Sequence, residues 1–277
     1  MAFSVKILAD SKNPIGGRLI TMVLTYPRCV HSEFMTHRMF SRNAASSRAI
    51  PVAKMLAEIK QDPFIPLVWG RNQRGMQAGK EHDKPAQCEI VWLRACRAAL
   101  DSADQLQSLG LHKQIINRVV EPWMWITVIA TGVDHAWENF FKLRCHPEAE
   151  PHMQKIAYMT RTEIDRSDWN VLGYDVSNRD HLPLIGFPGD EGLNACDKRR
   201  VSVARCARVS YLTHEGKRDV EADITLHNRL QESGHWSPFE HVACTDEADR
   251  GQGGNFGRGW CQYRKEFLDE YCRKAPR

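Results

Sequence analysis

Thr36-His37-Arg38-Met39-Phe40-Ser41-Arg42-Asn43-Ala44-Ala45-Ser46-Ser47-Arg48 sets one histidine, three arginines, three serines and one asparagine within thirteen residues. Guanidinium forks take phosphate oxygens in pairs, and serine hydroxyls with backbone N–H groups complete such a cradle, so the stretch suits an anion. A solvated polar loop carrying a helix N-cap accounts for the same composition. A second dense stretch, Gly234-His235-Trp236-Ser237-Pro238-Phe239-Glu240-His241, lies near the other end. Its His235 and His241 flank Glu240, but the spacing fits neither H-E-x-x-H nor H-x-x-E-H, so no metal site is expected. A turn in which Ser237 precedes Pro238 at a strand start is its plainer reading. If the two stretches serve one site, the fold must join segments almost two hundred residues apart.

The bulk of the chain sets few limits. At 277 residues, 42% apolar and 26% charged, it is long enough for a sizeable core and ordinary for a globular protein. A net charge of +4 with arginines spread along the whole chain suits small anions, and no basic stripe points to nucleic acid. Nine scattered cysteines without a C-x-x-C pair argue against a disulfide framework or a zinc knuckle. With no run of eighteen apolar residues and no signal-peptide layout in Met1-Ala2-Phe3-Ser4-Val5-Lys6, a cytoplasmic protein without membrane contact is expected.

Residues 3–9 and 19–26 read as strands, separated by a turn that contains Asn13-Pro14 and Gly16-Gly17. Helices are expected over 32–38, 52–60 and 86–109, the last with Ile90, Leu93, Ala95, Leu100 and Leu106 inward. Ile115, Ile116, Val119 and Val120 predict a helix over 113–125, ended or kinked by Pro122. Further helices are predicted over 135–143, after Pro147 with Met153, Ile156, Ala157 and Met159 inward, over 220–233, and as a closing helix over 260–273. A strand is expected over 240–245. Residues 167–198 read as an irregular excursion and 246–259 as a Gly-rich connector. The chain is taken as a single domain over 1–277.

Residues 36–48 resemble the R-H-R-x7-S signature of the flavin-dependent thymidylate synthases, with His37, Arg38, Ser41, Asn43, Ser46 and Arg48 at the expected offsets. Residues 234–241 resemble that family's G-H-x-[ST]-P-x-E-H. In the family this element comes first, so the present order resembles a circular permutation. Asn117-Arg118-Val119-Val120-Glu121-Pro122 is similar to the family's A-R-x-x-L-P. Asn139-Phe140-Phe141-Lys142-Leu143-Arg144 is similar to N-F-L-x-L-R, and residues 203–211 to A-x-R-V-S-[YF]. The resemblance implies an α+β (α/β) fold with a central, mostly antiparallel sheet flanked by helices. It also implies that a strand leaving Thr245 runs on into residues 21–27, with 1–17 and 246–277 as added ends.

By the same resemblance, His37, Arg38, Met39, Asn139, Leu143, Ser210, His235, Ser237 and Glu240 would hold FAD. Glu33, Ser46, Ser47, Arg48, Arg118 and Arg144 would hold a pyrimidine deoxynucleotide, with Arg144 and Ser46 as catalytic groups and Arg144 against the ring. The implied reaction moves a one-carbon unit from methylenetetrahydrofolate to C5 of dUMP, forming dTMP. Reduced flavin is the hydride donor, NADPH reduces it, and a homotetramer shares the sites. Two alternatives stand beside it: a 5-hydroxymethylation of a pyrimidine deoxynucleotide, and a non-catalytic nucleotide- or RNA-binding relative. Thr36 replaces the first Arg of R-H-R, Ala44 a Glu, Glu33 a Gln and Glu148 a His, and Val133-Asp134-His135 stands for N-A-R. Glu33 beside the nucleotide would favour a ring bearing an amino donor.

Overall fold

In the computed structural model, which describes residues 2–209, 219–248 and 253–267, the alternation in Ile20-Thr21-Met22-Val23-Leu24-Thr25-Tyr26 organises the main sheet. Successive strand side chains point to opposite faces, so this run offers one apolar and one half-polar surface. It lies in β2 (Arg18–Pro27), which forms an antiparallel hairpin with β1 (Ser4–Lys12). The expected turn closes it: Asn13 Oδ1 accepts from Gly17 N–H at 2.7 Å. The other side of β2 pairs with β4 (Trp125–Val133), which also pairs with the short β3 (Ser41–Ala44), both antiparallel. β5 (Asn170–Val171) adds a parallel edge, giving the order β3-β4-β2-β1-β5. The architecture is the expected α+β with a mostly antiparallel sheet.

On one face Ile20, Met22, Leu24 and Tyr26 join Ile126, Val128 and Ala130 in the main core. Trp137 and Phe140 of α5 (Asp134–Arg144) and Met153, Ile156 and Ala157 of α6 (Pro151–Asp165) complete it. On the other face Val23 and Ile129 meet Cys206, in α7 (Ala195–Arg208), and Val209. The threonines of that face pair across the strands, Thr21 with Thr131 at 2.7 Å and Thr25 with Thr127 at 3.2 Å. Thr21 Oγ1 also meets His181 Nε2 at 2.8 Å, and Thr131 Oγ1 meets His241 Nδ1 at 2.8 Å. Burial pushes both histidines down to about 3, so this network is uncharged at ordinary pH. A satellite core forms where α2 (Val52–Gln61), α3 (Pro85–Ser108) and α4 (Lys113–Val119) pack together.

Several expectations need correcting. The buried stripe of α3 is Cys96, Leu100 and Ala103, flanked by Trp92, Ala99 and Leu106. Ile90 and Ala95 face outward, because the stripe runs through Cys96, Leu100 and Ala103 at i, i+4 and i+7. The helix expected over 113–125 ends at Val119, and after a 3₁₀ turn at Glu121–Trp123 the chain enters β4. Its Ile126-Thr127-Val128-Ile129 is a β-branched run covered on both faces, which hides the alternation of a half-exposed strand. The closing helix begins instead as β8 (Trp260–Gln262) and a 3₁₀ turn over Tyr263–Glu266; residues 268–273 lie outside the described residues. The strand expected over 240–245 is only β7 (Ala243–Thr245), preceded by a 3₁₀ turn over Ser237–His241. β7 sits between β6 (Asp180–His181) and β8 in a second sheet. It therefore does not run on into β2, whose two edges are taken by β1 and β4.

The irregular excursion is fastened by ions. Arg205 is 1% exposed; its guanidinium pairs with Asp190 at 2.7 Å and with Asp223, in α8 (Val220–Glu232), at 3.0 Å. Its Nη1 also donates to the Leu184 carbonyl at 2.8 Å, holding a leucine whose φ of +62° is unfavourable for an L-residue. Removing one partner leaves buried charge uncompensated. Arg205→Met is expected to cost about 3–5 kcal/mol in urea unfolding, whereas the exposed pair Lys60–Asp104 is expected to contribute less than about 1 kcal/mol.

Candidate active site

The last residue of α5, Arg144, faces α1 (His31–Met35) and the loop after it. A cation suits that end of a helix, where unpaired carbonyls concentrate negative potential. Its Nε donates to His37 Nε2 at 2.9 Å and Nη1 to the Glu33 carboxylate at 3.3 Å. Nη2 donates to the Glu33 carbonyl and to Thr36 Oγ1, both at 3.3 Å. Thr36 stands where the motif has an arginine. Its hydroxyl donates to the Glu33 carbonyl at 2.7 Å and accepts from Arg144, and a guanidinium, which only donates, could not accept there.

The bond from Arg144 fixes the state of His37. Nε2 must carry a lone pair to accept, so the ring is neutral with its proton on Nδ1. Burial first, then the charges of Arg144 and Arg42, push its pKa down to about 4. Phe140 meets the ring edge-on at 4.9 Å. The Glu33 carboxyl moves the other way: burial and the nearby Glu150 raise it against the pull of Arg144.

Beside this cluster is a cavity of about 420 Å³ lined by residues 36–40 on one side and Ala136, Asn139, Leu143 and Arg144 on the other. Of the candidates from sequence, it brings together His37, Arg38, Met39, Asn139, Leu143 and Arg144, with Glu33 bonded to Arg144. Ser46, Ser47, Arg48 and Arg118 do not line it. Asn117 Nδ2 donates to the Ser47 carbonyl at 2.7 Å and to that of Ile50 at 3.0 Å, tying α4 to that loop. Ser46, Arg48 and Arg118 are exposed, whereas Ser47 is buried and donates to Glu121 at 3.3 Å. His235 and Ser237 are exposed and Glu240 is ion-paired with Arg264; none of the three lines the cavity. Their turn packs against β3. Ser210 lies outside the described residues.

Sequence reasoning missed Phe40 and Ala136 in the lining and Arg42 as a charge acting on His37. One signal for Phe40 was present. Gly132 interrupts a β-branched strand, and a Cβ there would lie 2.5 Å from the Phe40 ring.

The bond between Arg144 and His37 has a pH signature. The folded pKa lies below the ordinary 6.5, so the unfolded chain binds more protons between about 6.5 and 4 and this share of stability is lost as pH falls through that window. In ring NMR His37 is expected to stay the neutral Nδ1–H tautomer down to about pH 5. In Arg144→Met its midpoint rises toward 6.5, held short of it by burial.

Comparison with known proteins bears on the same residues. The family model described as thymidylate synthase complementing protein matches residues 13–167, from the β1–β2 turn to just past α6. No curated protein sequence matches the chain. Among solved structures, the UMP/dUMP methylase PolB from Streptomyces cacaoi bound with 5-Br UMP aligns with TM-score 0.50 at 17% identity, over 60% of this chain and 89% of that one. Its form bound with 5-Br dUMP aligns with TM-score 0.46 at 18% identity, over 54% of this chain and 66% of that one, just under two thirds of its length. Identities this low speak to fold alone. No helix among the described residues is long and apolar enough to cross a membrane. The family match covers more than half of the chain and contains both sides of the cavity, so the chain belongs to the thymidylate synthase complementing protein family, that of the flavin-dependent thymidylate synthases.

Proposed function

We propose that this chain methylates C5 of a uridylate-class nucleotide, dUMP to dTMP, at the cavity between residues 36–40 and α5. The observation that carries the reading is Arg144, braced by His37 and Glu33 at the edge of a space large enough for a planar ligand. The lining suits a flavin: Met39, Phe40 and Leu143 offer apolar surface, and Arg38, Asn139 and Arg144 offer donors for ring oxygens and nitrogens. FAD reduced by NADPH would supply the hydride there, and methylenetetrahydrofolate the carbon.

The chain's own part is to bind and to place charge. As C5 of the pyrimidine becomes nucleophilic, negative charge gathers on the ring carbonyl, and a fixed guanidinium lowers that barrier. Arg144 is fixed through Nε, whose bond to His37 at 2.9 Å is shorter than the three contacts from Nη1 and Nη2 at 3.3 Å. The Nη groups are thus the ones a ligand carbonyl can draw away from Glu33 and Thr36, while neutral His37 keeps the plane in place. The exposed Ser46, Arg48 and Arg118 suit a phosphate, and they lie outside the cavity lining. A homotetramer in which one protomer contributes the ring-binding wall and another the phosphate group accounts for that separation. The order of the motifs, residues 36–48 before 234–241, is read as a circular permutation.

One observation widens the substrate class. The Glu33 carboxylate sits on Arg144, and an acceptor there suits a ring amino group.

The decisive experiment is reconstitution with FAD followed by product mass spectrometry. A yellow protein bleached by NADPH, which converts dUMP to a methylated product, is expected; colourless protein that cannot be reconstituted favours the binding-protein alternative, and a hydroxymethyl product the other. Arg144→Met is expected to lower kcat by roughly 100- to 1000-fold, the usual effect of losing one aligned donor. Affinities for uridylate and cytidylate measured side by side test Glu33: cytidylate binding as tight or tighter is expected, reversed in Glu33→Gln. A clear uridylate preference in the unmodified protein overturns it.

A further inference from the structure

The Gly-rich stretch 253–259 and β8 belong to neither motif, and the family match ends well before them. Yet they make polar contacts that join one motif stretch to the other. Gln262 is 2% exposed, and its Nε2 donates to Ser41 Oγ at 2.9 Å and to the Glu240 backbone carbonyl at 3.0 Å. A backbone carbonyl only accepts, so the amide must turn its N–H groups toward Glu240 and its oxygen away. That oxygen lies over Gly254, where a Cβ would be 2.2 Å from Oε1 and the backbone φ is +61°. Only glycine meets both demands. Asn255 adds a contact to Ser41 Oγ at 3.4 Å, and Arg264 ion-pairs with the Glu240 carboxylate.

We propose that Gln262 is a positioning residue for the active site: by tying Ser41 to the Glu240 carbonyl it sets β3 against the Ser237–His241 turn and, through β3, the placement of the adjoining residues 36–40 that line the cavity. The ligand in this inference rests on the flavin reading above. If Gln262 acted by bulk, any apolar side chain of its size would serve equally. Through hydrogen bonds it cannot be replaced so, because the Glu240 carbonyl and the Ser41 hydroxyl would lose their shared donor in a buried place.

Gln262→Met keeps the bulk, Gln262→Glu keeps the shape without the donors, and Gly254→Ala disturbs the amide from behind. For each, amide exchange is compared in flavin-free protein over residues 41–44 and 237–242, and FAD affinity is measured by fluorescence titration. Both Gln262 variants are expected to exchange faster in these two segments, with α5 unchanged, and to bind FAD roughly tenfold more weakly. Gly254→Ala is expected to shift in the same direction. Unchanged exchange in both segments overturns the proposal, and so does faster exchange spread over the whole sheet with unchanged FAD affinity. If the unmodified protein takes up no FAD, the flavin reading falls, while the exchange comparison still decides whether Gln262 sets the turn.

Discussion

A single guanidinium holds the site in shape. Arg144 joins the end of α5 to α1 and its following loop through four contacts to three residues, and each residue is constrained in a different way. His37 is kept neutral in one tautomer, Thr36 is restricted to a group that can accept, and Glu33 is drawn to the rim of the cavity. Without that charge the two sides would still be held by the core beneath them, since Phe140 and Phe34 pack at 5.8 Å. The polar edge facing a ligand would lose its order. Rigidity here comes from the apolar face of the sheet and chemistry from one ion laid across its margin.

The opposite face of the sheet does a different task. It joins chain segments that are far apart in sequence, and it does so with neutral polar groups. Ser11, His181, Thr21, Thr131 and His241 follow one another at 2.7–2.9 Å and are all buried, reaching from β1 through β6, β2 and β4 to the turn of the second motif. Burial keeps both histidines uncharged, so the network avoids the desolvation cost that a buried ion would carry. Asn43 adds a tie from β3 to the Cys206 carbonyl at 2.9 Å. Distance along the chain is therefore no obstacle to the two stretches lying side by side.

The parts legible in sequence share one property: their signal is local. The 13–17 turn declared itself through Asn-Pro and Gly-Gly, and α5 and α6 through apolar spacing. The cavity residues His37, Asn139 and Arg144 stood out through motif offsets. β4 escaped because a strand covered on both faces loses its period of two, so its β-branched run merged with the preceding helix. Ile90 was misassigned because α3 is only partly covered, and its exposed side carries apolar residues of its own. Gln262 carried no local mark at all. Its role depends on Gly254 behind it and on Ser41 some 220 residues away, which only the folded chain brings into view.

The account stands on the pyrimidine ring meeting Arg144 inside the cavity of residues 36–40 and α5. Anomalous diffraction from crystals loaded with FAD and 5-bromouridylate reads that position directly. The bromine peak is expected within the space lined by His37, Asn139 and Arg144, with contacts from the Nη groups to a ring oxygen. A peak lying elsewhere, or occupancy unchanged in Arg144→Met crystals, would contradict it.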